Sequence, residues 1–554
     1  MRNLALFACT ASASLLAAQQ QPPQQQPAQQ QPAAMPAGPL VHIDVLGPAV
    51  WRERFLPTNF GSMLASAEGE KVWGPLVAQL DAVWSKAEGE PFAAARQRLL
   101  AFAGSTEVLV WADPTGRPGR SHWSGMLIVA PAGTETLDLL AADTARWFAA
   151  LRTAEPAGVQ TIGGEEFEVC RFDGGVATTP VQRDHRIVAF FADHDLASAV
   201  TSGKAWLAAG HPARPKPAPP LRIDIDLAQT ARLAGDDKSG RAVYAALGLH
   251  ALGTLSLTLT AEGPSVLGEL ALLFGPGERG LFAGLFPVHD GVPSRYGLVP
   301  KDSTAWKVGR CDSAAIWRAI VWAIAAGSDK TEEQVIAEAK GECGGVELGK
   351  DVLSLLTDEA LLLWQPRRTE QGESRDDFAF CIAIPVKDPV AFKPVFVKLL
   401  REGAKLEVED EHGEVRAAQK QEWFFPPYQF GLGNGIAVFA VGKTGGDLLD
   451  AVLHEAAARP EPPVTAPPRI TQLRRTAPDG WNGAGVIDID SLLRYQLGIF
   501  FDLLDELGHV APMEGEHAAR MMEPLRPLLQ KHQLTHVVTL SGSTKDCWRF
   551  RMLW

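Results

Sequence analysis

Cysteine, basic residues and long apolar runs are the scarce elements of this 554-residue chain. It has 6 cysteines. Cys9 falls in an N-terminal leader, which leaves Cys170, Cys311, Cys343, Cys381 and Cys547. None of these makes a Cys-x-x-Cys or other metal-binding spacing, so the chain does not read as a disulfide scaffold or a thiolate metal module. An odd count leaves at least one thiol free or paired between chains. Cys311–Cys343 is the pairing expected if one bridge forms. The 4 tyrosines, beside abundant Ala, Pro and Arg, are consistent with a GC-rich coding bias.

The deficit of basic residues bounds the partners. Lys and Arg number 52 against 65 Asp and Glu, a net charge of −13. Nucleic-acid binding needs clustered Lys and Arg against phosphate, so no nucleic-acid partner is expected, and an anionic membrane surface is disfavoured. Beyond the leader no stretch approaches the about 18 apolar residues of a spanning helix, so no transmembrane segment is expected in the mature chain. Catalytic signatures are missing as well. There is no Gly-x-Ser-x-Gly elbow, His-Glu-x-x-His, Ser-x-x-Lys, EF-hand loop or complete phosphate loop.

Residues 1–18 read as an export signal, with Arg2 ahead of a short apolar stretch from Leu4 to Ala18. Cleavage after Ala13 and after Ala18 are both compatible with the pattern. Leu6-Phe7-Ala8-Cys9 resembles a lipoprotein box with Phe where a small residue is usual, so lipidation of Cys9 stays open. Residues 19–38 are almost wholly Gln, Pro and Ala, with nothing to bury, and are expected to form a disordered tether. The protein is therefore expected to be exported: periplasmic, envelope-associated or extracellular.

The remaining chain runs through the same order of elements twice. Val108-Leu109-Val110-Trp111 corresponds to Leu361-Leu362-Leu363-Trp364, and Ile187–Phe191 to Ile436–Ala440. Arg222-Ile223-Asp224-Ile225-Asp226 corresponds to Val486-Ile487-Asp488-Ile489-Asp490. Proline-rich straps, Pro212–Pro220 and Pro460–Pro468, fall at equivalent places. Period-two alternation at Leu255–Thr260 and Trp548–Trp554 predicts hairpins with one buried face, the second with its turn at Ser541-Gly542-Ser543. Helical spacing follows Asp312-Ser313 and Asp388-Pro389, where Asp caps the first turn, and Pro394 should shorten or kink the second helix. The expected fold class is α+β, with two duplicated lobes, 39–290 and 291–554. Each lobe is expected to be a mainly antiparallel sheet with helices packed on one face.

Several residue groups tempt a chemical reading. Gly442-Lys443-Thr444 lacks the upstream glycine of a phosphate loop, and Gly275–Gly280 fits Gly-x-Gly-x-x-Gly without the helix that should follow, so both read as turns. Asp224/Asp226 and Asp488/Asp490 put two carboxylates on one strand face but stand where helix caps belong. His185 and His194 bracket one strand about 30 Å apart and cannot share a metal. Asp193 or Asp195 should cap the following helix. His509, Glu514, Glu516 and His517 form the best metal-ligand cluster in the sequence, though a solvated acidic loop is the favoured reading of it. Trp423-Phe424-Phe425-Pro426-Pro427-Tyr428-Gln429-Phe430 concentrates aromatics on a proline-stiffened segment. Trp423, Phe424, Phe425, Tyr428 and Phe430 are therefore the candidate binding residues.

Val299-Pro300-Lys301-Asp302-Ser303-Thr304 leads into the strand ending at Asp312. Gly345–Leu353 precedes Leu361-Leu363-Trp364, and Asp388 follows Ile382–Val386. In these motifs the second half resembles an uncharacterised family of secreted or envelope-associated bacterial proteins, a domain of unknown function. The first half resembles it loosely, with Pro36-Ala37-Gly38-Pro39 in place of the Pro-x-Asp-x-Thr entry. The resemblance implies no activity, cofactor or catalytic residue. Together these features predict an exported, non-enzymatic protein that binds a partner protein, such as an envelope protein, or an apolar ligand at the aromatic segment or the groove between lobes. An exported hydrolase with an unrecognised carboxylate or metal site, and a structural envelope protein, are the alternatives.

Overall fold

In the computed structural model of the chain, the described residues are 38–72, 74, 94, 97–98, 101–113, 122–133, 136–150, 155–172, 175–209, 217–229, 243–289, 298–300, 303–328, 330–366, 378–419, 426–442, 444–455, 481–489 and 524–554. The leader, the tether up to residue 37, Trp423–Phe425, Asp490 and the His509–His517 cluster lie outside them. The protein is mixed α and β, with one large antiparallel sheet. No helix among the described residues is long and apolar enough to cross a membrane, a statement that does not extend to spans made of strands.

The strands of the first half are β1 (Val41–Leu46), β2 (Ala103–Asp113), β3 (His122–Pro131), β4 (Glu155–Ile162), β5 (Glu165–Phe172), β6 (Gly175–Thr178), β7 (Val181–Arg183), β8 (Arg186–Ala192), β9 (Leu221–Asp226), β10 (Leu252–Glu262) and β11 (Ser265–Phe274). Those of the second are β12 (Ala305–Arg310), β13 (Glu359–Pro366), β14 (Phe378–Pro385), β15 (Val408–Glu411), β16 (Glu414–Gln419), β17 (Tyr428–Gly433), β18 (Ile436–Val441), β19 (Trp481–Asp488), β20 (His536–Ser543) and β21 (Cys547–Leu553).

Strands β11 and β21 pair at a central seam, Leu267 opposite Leu553 and Leu273 opposite Cys547. Outward from β11 run β10, β9, β1, β2, β3 and β8, then β6 and β7 end to end along β8. Strands β5 and β4 complete that side. Outward from β21 run β20, β19, β12, β13, β14, β18, β17, β16 and β15. At the seam Glu269 faces Arg551, whose Nε lies 2.5 Å from its Oε2. Opposite charges at directly paired positions support that register.

The helices are α1 (Pro48–Phe55), α2 (Asn59–Leu64), α3 (Leu137–Ala150), α4 (Leu196–Ala209), α5 (Leu281–Leu285), α6 (Ser313–Gly327), α7 (Glu332–Glu342), α8 (Pro389–Lys398) and α9 (Gly445–Asp450), with a further helix, α10, over 524–531. Asp312 Oδ1 accepts from the Ala315 N–H at 2.9 Å and Asp388 Oδ1 from Ala391 at 3.0 Å, the caps expected of them. Helix α8 passes into a wider π turn over Leu399–Gly403 just beyond Pro394, whose missing N–H already weakens the helical ladder.

Helices flank both faces of the outer sheet rather than the single face expected from sequence. Helix α4 packs on Leu109, Met126, Ile128, Val188 and Phe190, while α3 sets Leu140 against Val129 and Ile187 on the opposite face. In the second half α9 covers Leu361, Leu363, Cys381 and Val438, and α8 covers the reverse face through Phe392 and Phe396. The reason is visible in β8. Its run Ile187-Val188-Ala189-Phe190 is buried without alternation, the pattern of a strand covered on both sides. The turn expected at Ser541–Ser543 is also displaced. Those residues continue β20 opposite Phe550, Arg549 and Trp548, and the chain reverses at Thr544–Asp546, where the Thr544 N–H donates to the Cys547 carbonyl at 2.7 Å.

Cys311 and Cys343 are free thiols, which removes the expected bridge. Cys343 ends α7 inside the core cluster with Val346, Val352 and Phe396, whereas Cys311 follows β12 with its Sγ 4.0 Å from Ser313 Oγ. Cys170, Cys381 and Cys547 are free as well.

Candidate functional site

Among the described residues two places combine geometry with chemistry: an apolar cleft at the seam and a histidine–carboxylate cluster at the end of β8.

The cleft is built by α1 and α2 lying against the strands of the seam. Pro48 opens α1, and Trp51 stacks on Phe55 one turn later with ring centroids 4.7 Å apart. Thr58 Oγ1 caps α2 by accepting the Gly61 N–H at 3.0 Å. Gly61 permits the tight corner between the two helices, because a Cβ there would lie 1.8 Å from the Phe55 carbonyl oxygen. The Asn59 N–H donates to the Pro264 carbonyl at 2.7 Å, tying α2 to the β10–β11 turn. On its other side α2 packs Met63 against Leu525, Leu528 and Leu529 of α10, so a helix from each end of the chain meets here.

The resulting opening has a volume of about 320 Å³ and is lined by Phe55, Leu56, Phe60, Leu64, Leu259 and Trp554, among others. A neighbouring cleft of about 350 Å³ shares Trp51 and Arg52 with it. Leu56 and Leu64 are 46% and 39% exposed, large apolar side chains facing solvent beside an apolar floor. The Trp554 indole Nε1–H is buried with no acceptor among the described residues.

The second place arises from strand pairing. Antiparallel pairing of β3 with β8 brings the start of one beside the end of the other, and the Asp193 N–H donates to the Trp123 carbonyl at 3.1 Å. His122, Asp193 and His194 thereby converge. His122 Nδ1 lies 2.8 Å from one carboxylate oxygen of Asp193, and His194 Nδ1 lies 2.7 Å from the other. The two imidazoles are 3.9 Å apart between centroids. Burial would push the Asp193 carboxyl up, but the hydrogen bonds from His194 and His122 outweigh it and hold the group below the ordinary carboxylate range.

Other sequence candidates have structural employment. Asp226 Oδ1 accepts from the Gln229 N–H at 3.2 Å, a helix-capping contact. Asp224 instead takes the Ser256 hydroxyl at 2.6 Å and pairs with Arg222 Nε at 2.7 Å. Asp488 lies 3.9 Å from His536 Nε2. Asp195, not Asp193, receives the Ala197 N–H at the start of α4. Asp184 and His185 are the two positive-φ residues of the β7–β8 turn, away from His194 at the far end of β8.

Of the aromatic segment, Phe430 is only 7% exposed and packs against Phe396 and Phe439 under α8. Tyr428 is half-buried, edge-on to Phe430, with its hydroxyl donating to Gln419. These two therefore serve the core rather than a presented loop, because the β17–β18 pairing sets Phe430 directly opposite Phe439. His122 had no sequence signal of its own, since its partners lie 71 positions away.

One further titratable group stands out. Lys307, on β12, has no carboxylate partner among the described residues, and its ammonium lies 5.3 Å from the Phe550 ring centre. Burial pushes its pKa down to about 8. Gly483 makes room for it, since a Cβ there would approach Lys307 Cε to 3.3 Å.

No protein-family model and no curated protein matches this chain. Among solved structures, crystal form III of TP0453 is similar at 11% identity and a TM-score of 0.22, over 46% of this chain and 85% of that one. Crystal form IV is similar at 11% identity and 0.21, over 43% and 77%. Likeness at that level carries no argument about this chain.

Proposed function

We propose that the chain is an exported, non-enzymatic protein of two duplicated lobes that binds an apolar ligand in the cleft where the lobes meet. The observation that carries the binding reading is the cleft itself. Exposed Leu56 and Leu64 stand over an aromatic and aliphatic floor, at the lower end of the volumes that hold small ligands. Arg52 at its margin and the unpartnered Trp554 N–H favour an amphiphile, apolar in body with one acceptor or anionic group. Duplication is supported by the corresponding order of strands read outward from the β11–β21 seam, with β6 and β7 together in the place of β17. Export rests on the leader-like residues 1–18, and membership of the secreted or envelope-associated bacterial family rests on the motifs between Val299 and Asp388.

The sheet edges count against the structural-envelope alternative. Strand β15 is short and acidic, Val408-Glu409-Asp410-Glu411, and β4 carries Pro156 with a register break before Gly158. Such edges resist pairing with a second sheet. The metal-site alternative is favoured by the His122–Asp193–His194 cluster and is a separate question from the cleft.

The test is titration of the mature chain with 1-anilinonaphthalene-8-sulfonate, an apolar ring system bearing one anionic group. Saturable one-site binding should weaken at least about tenfold in Leu56→Ser/Leu64→Ser, roughly the loss of apolar burial at two positions, with no fall in Tm. Unchanged binding in that variant refutes the cleft. Native mass spectrometry of protein purified gently from its own envelope fraction would then identify any co-purifying lipid or other small molecule.

A further inference from the structure

We propose that His122, Asp193 and His194 form a binding site for a borderline divalent cation, Zn2+ first among them. One donor atom from each of the three residues can be chosen so that all lie within 4.8 Å of one another. The donors are two imidazole nitrogens and one carboxylate, a set suited to zinc and to neighbouring transition metals rather than to calcium or magnesium, which take oxygen. Zinc bonds of about 2.0–2.1 Å in a tetrahedron place donors about 3.3 Å apart. Each Nδ1 lies beside a different oxygen of Asp193, at 2.8 and 2.7 Å, within about 0.6 Å of that spacing, so an outward movement with either carboxylate oxygen turned to the ion admits it.

The site is half-open. The side chains of His122 and Asp193 are 25% and 18% exposed, and that of His194 is 46% exposed. Three protein ligands with solvent access leave a fourth position for water or a small ligand, the arrangement of an open rather than a closed zinc site. The fixed members are well supported. Asp193 is tied through its backbone to Trp123, and the neighbouring Asp195 is occupied in capping α4 and so does not compete.

The β14–β18 pair has the same antiparallel connectivity as β3–β8, and among the described residues the chain leaves it through Gly442 where β8 leads into Asp193. This inference does not depend on the apolar cleft.

The full chain, stripped with EDTA and dialysed, is titrated calorimetrically with Zn2+, and bound metal is counted by native mass spectrometry. One Zn2+ should be lost, or its affinity reduced at least about tenfold, in His122→Gln and in His194→Gln, since even outer-shell substitutions cost that much at zinc sites. Co2+ in place of Zn2+ should give visible absorption in the native chain that is absent from both variants. His509→Gln/His517→Gln controls for the other histidine-rich segment and should keep the site. Because His194 is the most exposed member, its substitution answers the question even if His122→Gln fails to fold. The proposal is overturned if the chain binds no Zn2+ at tens of micromolar, if His194→Gln binds as the native chain does, or if only the His509/His517 variant loses the metal. Any of these would leave two histidines sharing a carboxylate and nothing more.

Discussion

Lys307→Met should stabilise the protein near neutral pH. The ammonium is desolvated beside Phe550 with no carboxylate among the described residues to offset the cost, and its pKa falls from 10.5 to about 8. That fall corresponds to about 3 kcal/mol of penalty on the charged form. A cation–π contact returns about 1 kcal/mol, and methionine keeps an unbranched stem of similar reach, so the expected gain at pH 7 is about 2 kcal/mol. The sign follows from proton counting. Between about pH 8 and 10.5 the folded chain has lost this proton while the unfolded chain still holds it, so native stability rises with pH through that window. Below about pH 8 both states are charged and the full penalty applies. Urea denaturation followed by tryptophan fluorescence at pH 7 and pH 10 measures both terms. The advantage of the variant should shrink by about 2 kcal/mol at the higher pH. A variant less stable at pH 7, or a difference independent of pH, refutes the account of Lys307 as an uncompensated buried charge.

Phe430→Ala should destabilise by about 3 kcal/mol, as truncation of a core aromatic does, whereas Tyr428→Phe should cost about 1 kcal/mol for one hydrogen bond; thermal melts of both separate core packing from surface binding. Cys381, pushed up to about 12 by burial, should resist iodoacetamide at pH 8 until the chain is unfolded. Alkylation in denaturant without reductant should label Cys170, Cys311, Cys343, Cys381 and Cys547 alike, and protection of Cys311 with Cys343 would reinstate their bridge. Glu165 accepts from Arg183 and Lys204, which hold its carboxyl at about 2. The folded carboxyl should therefore stay charged through mild acid while the unfolded chain takes up the proton, so its contribution fades as pH falls from about 4.5 to about 2, and carboxyl chemical shifts measured between pH 2 and 5 should show no step near 4.5.

Much of the architecture was legible in local pattern. Alternation at Leu255–Thr260 marked β10, and Asp312 and Asp388 marked helix starts, because both signals depend on neighbours within a few residues. The count of helix-covered faces was not legible. An apolar run such as Ile187–Phe190 states that a strand is buried, and only the positions of α3 and α4 state from which sides. The Cys311–Cys343 pairing failed for the same reason, since thiol spacing along a chain carries no information on separation in space.

The candidate sites divide along the same line. The Trp423–Phe430 segment advertised itself by composition, yet Phe430 is spent on the core, because register with Phe439 directs it inward. His122 advertised nothing, Asp193 and His194 stood out only as a helix cap and a strand-end histidine, and Trp51, Leu56 and Trp554 come from opposite ends of the sequence. Composition, periodicity and capping are short-range properties, and they specified the charge balance, the element types and many of their boundaries. Convergence of distant side chains depends on which strand pairs with which, a long-range choice made by burying whole faces together. That choice alone brought a histidine 71 residues upstream to Asp193, and a C-terminal tryptophan to a cleft roofed by the first helices.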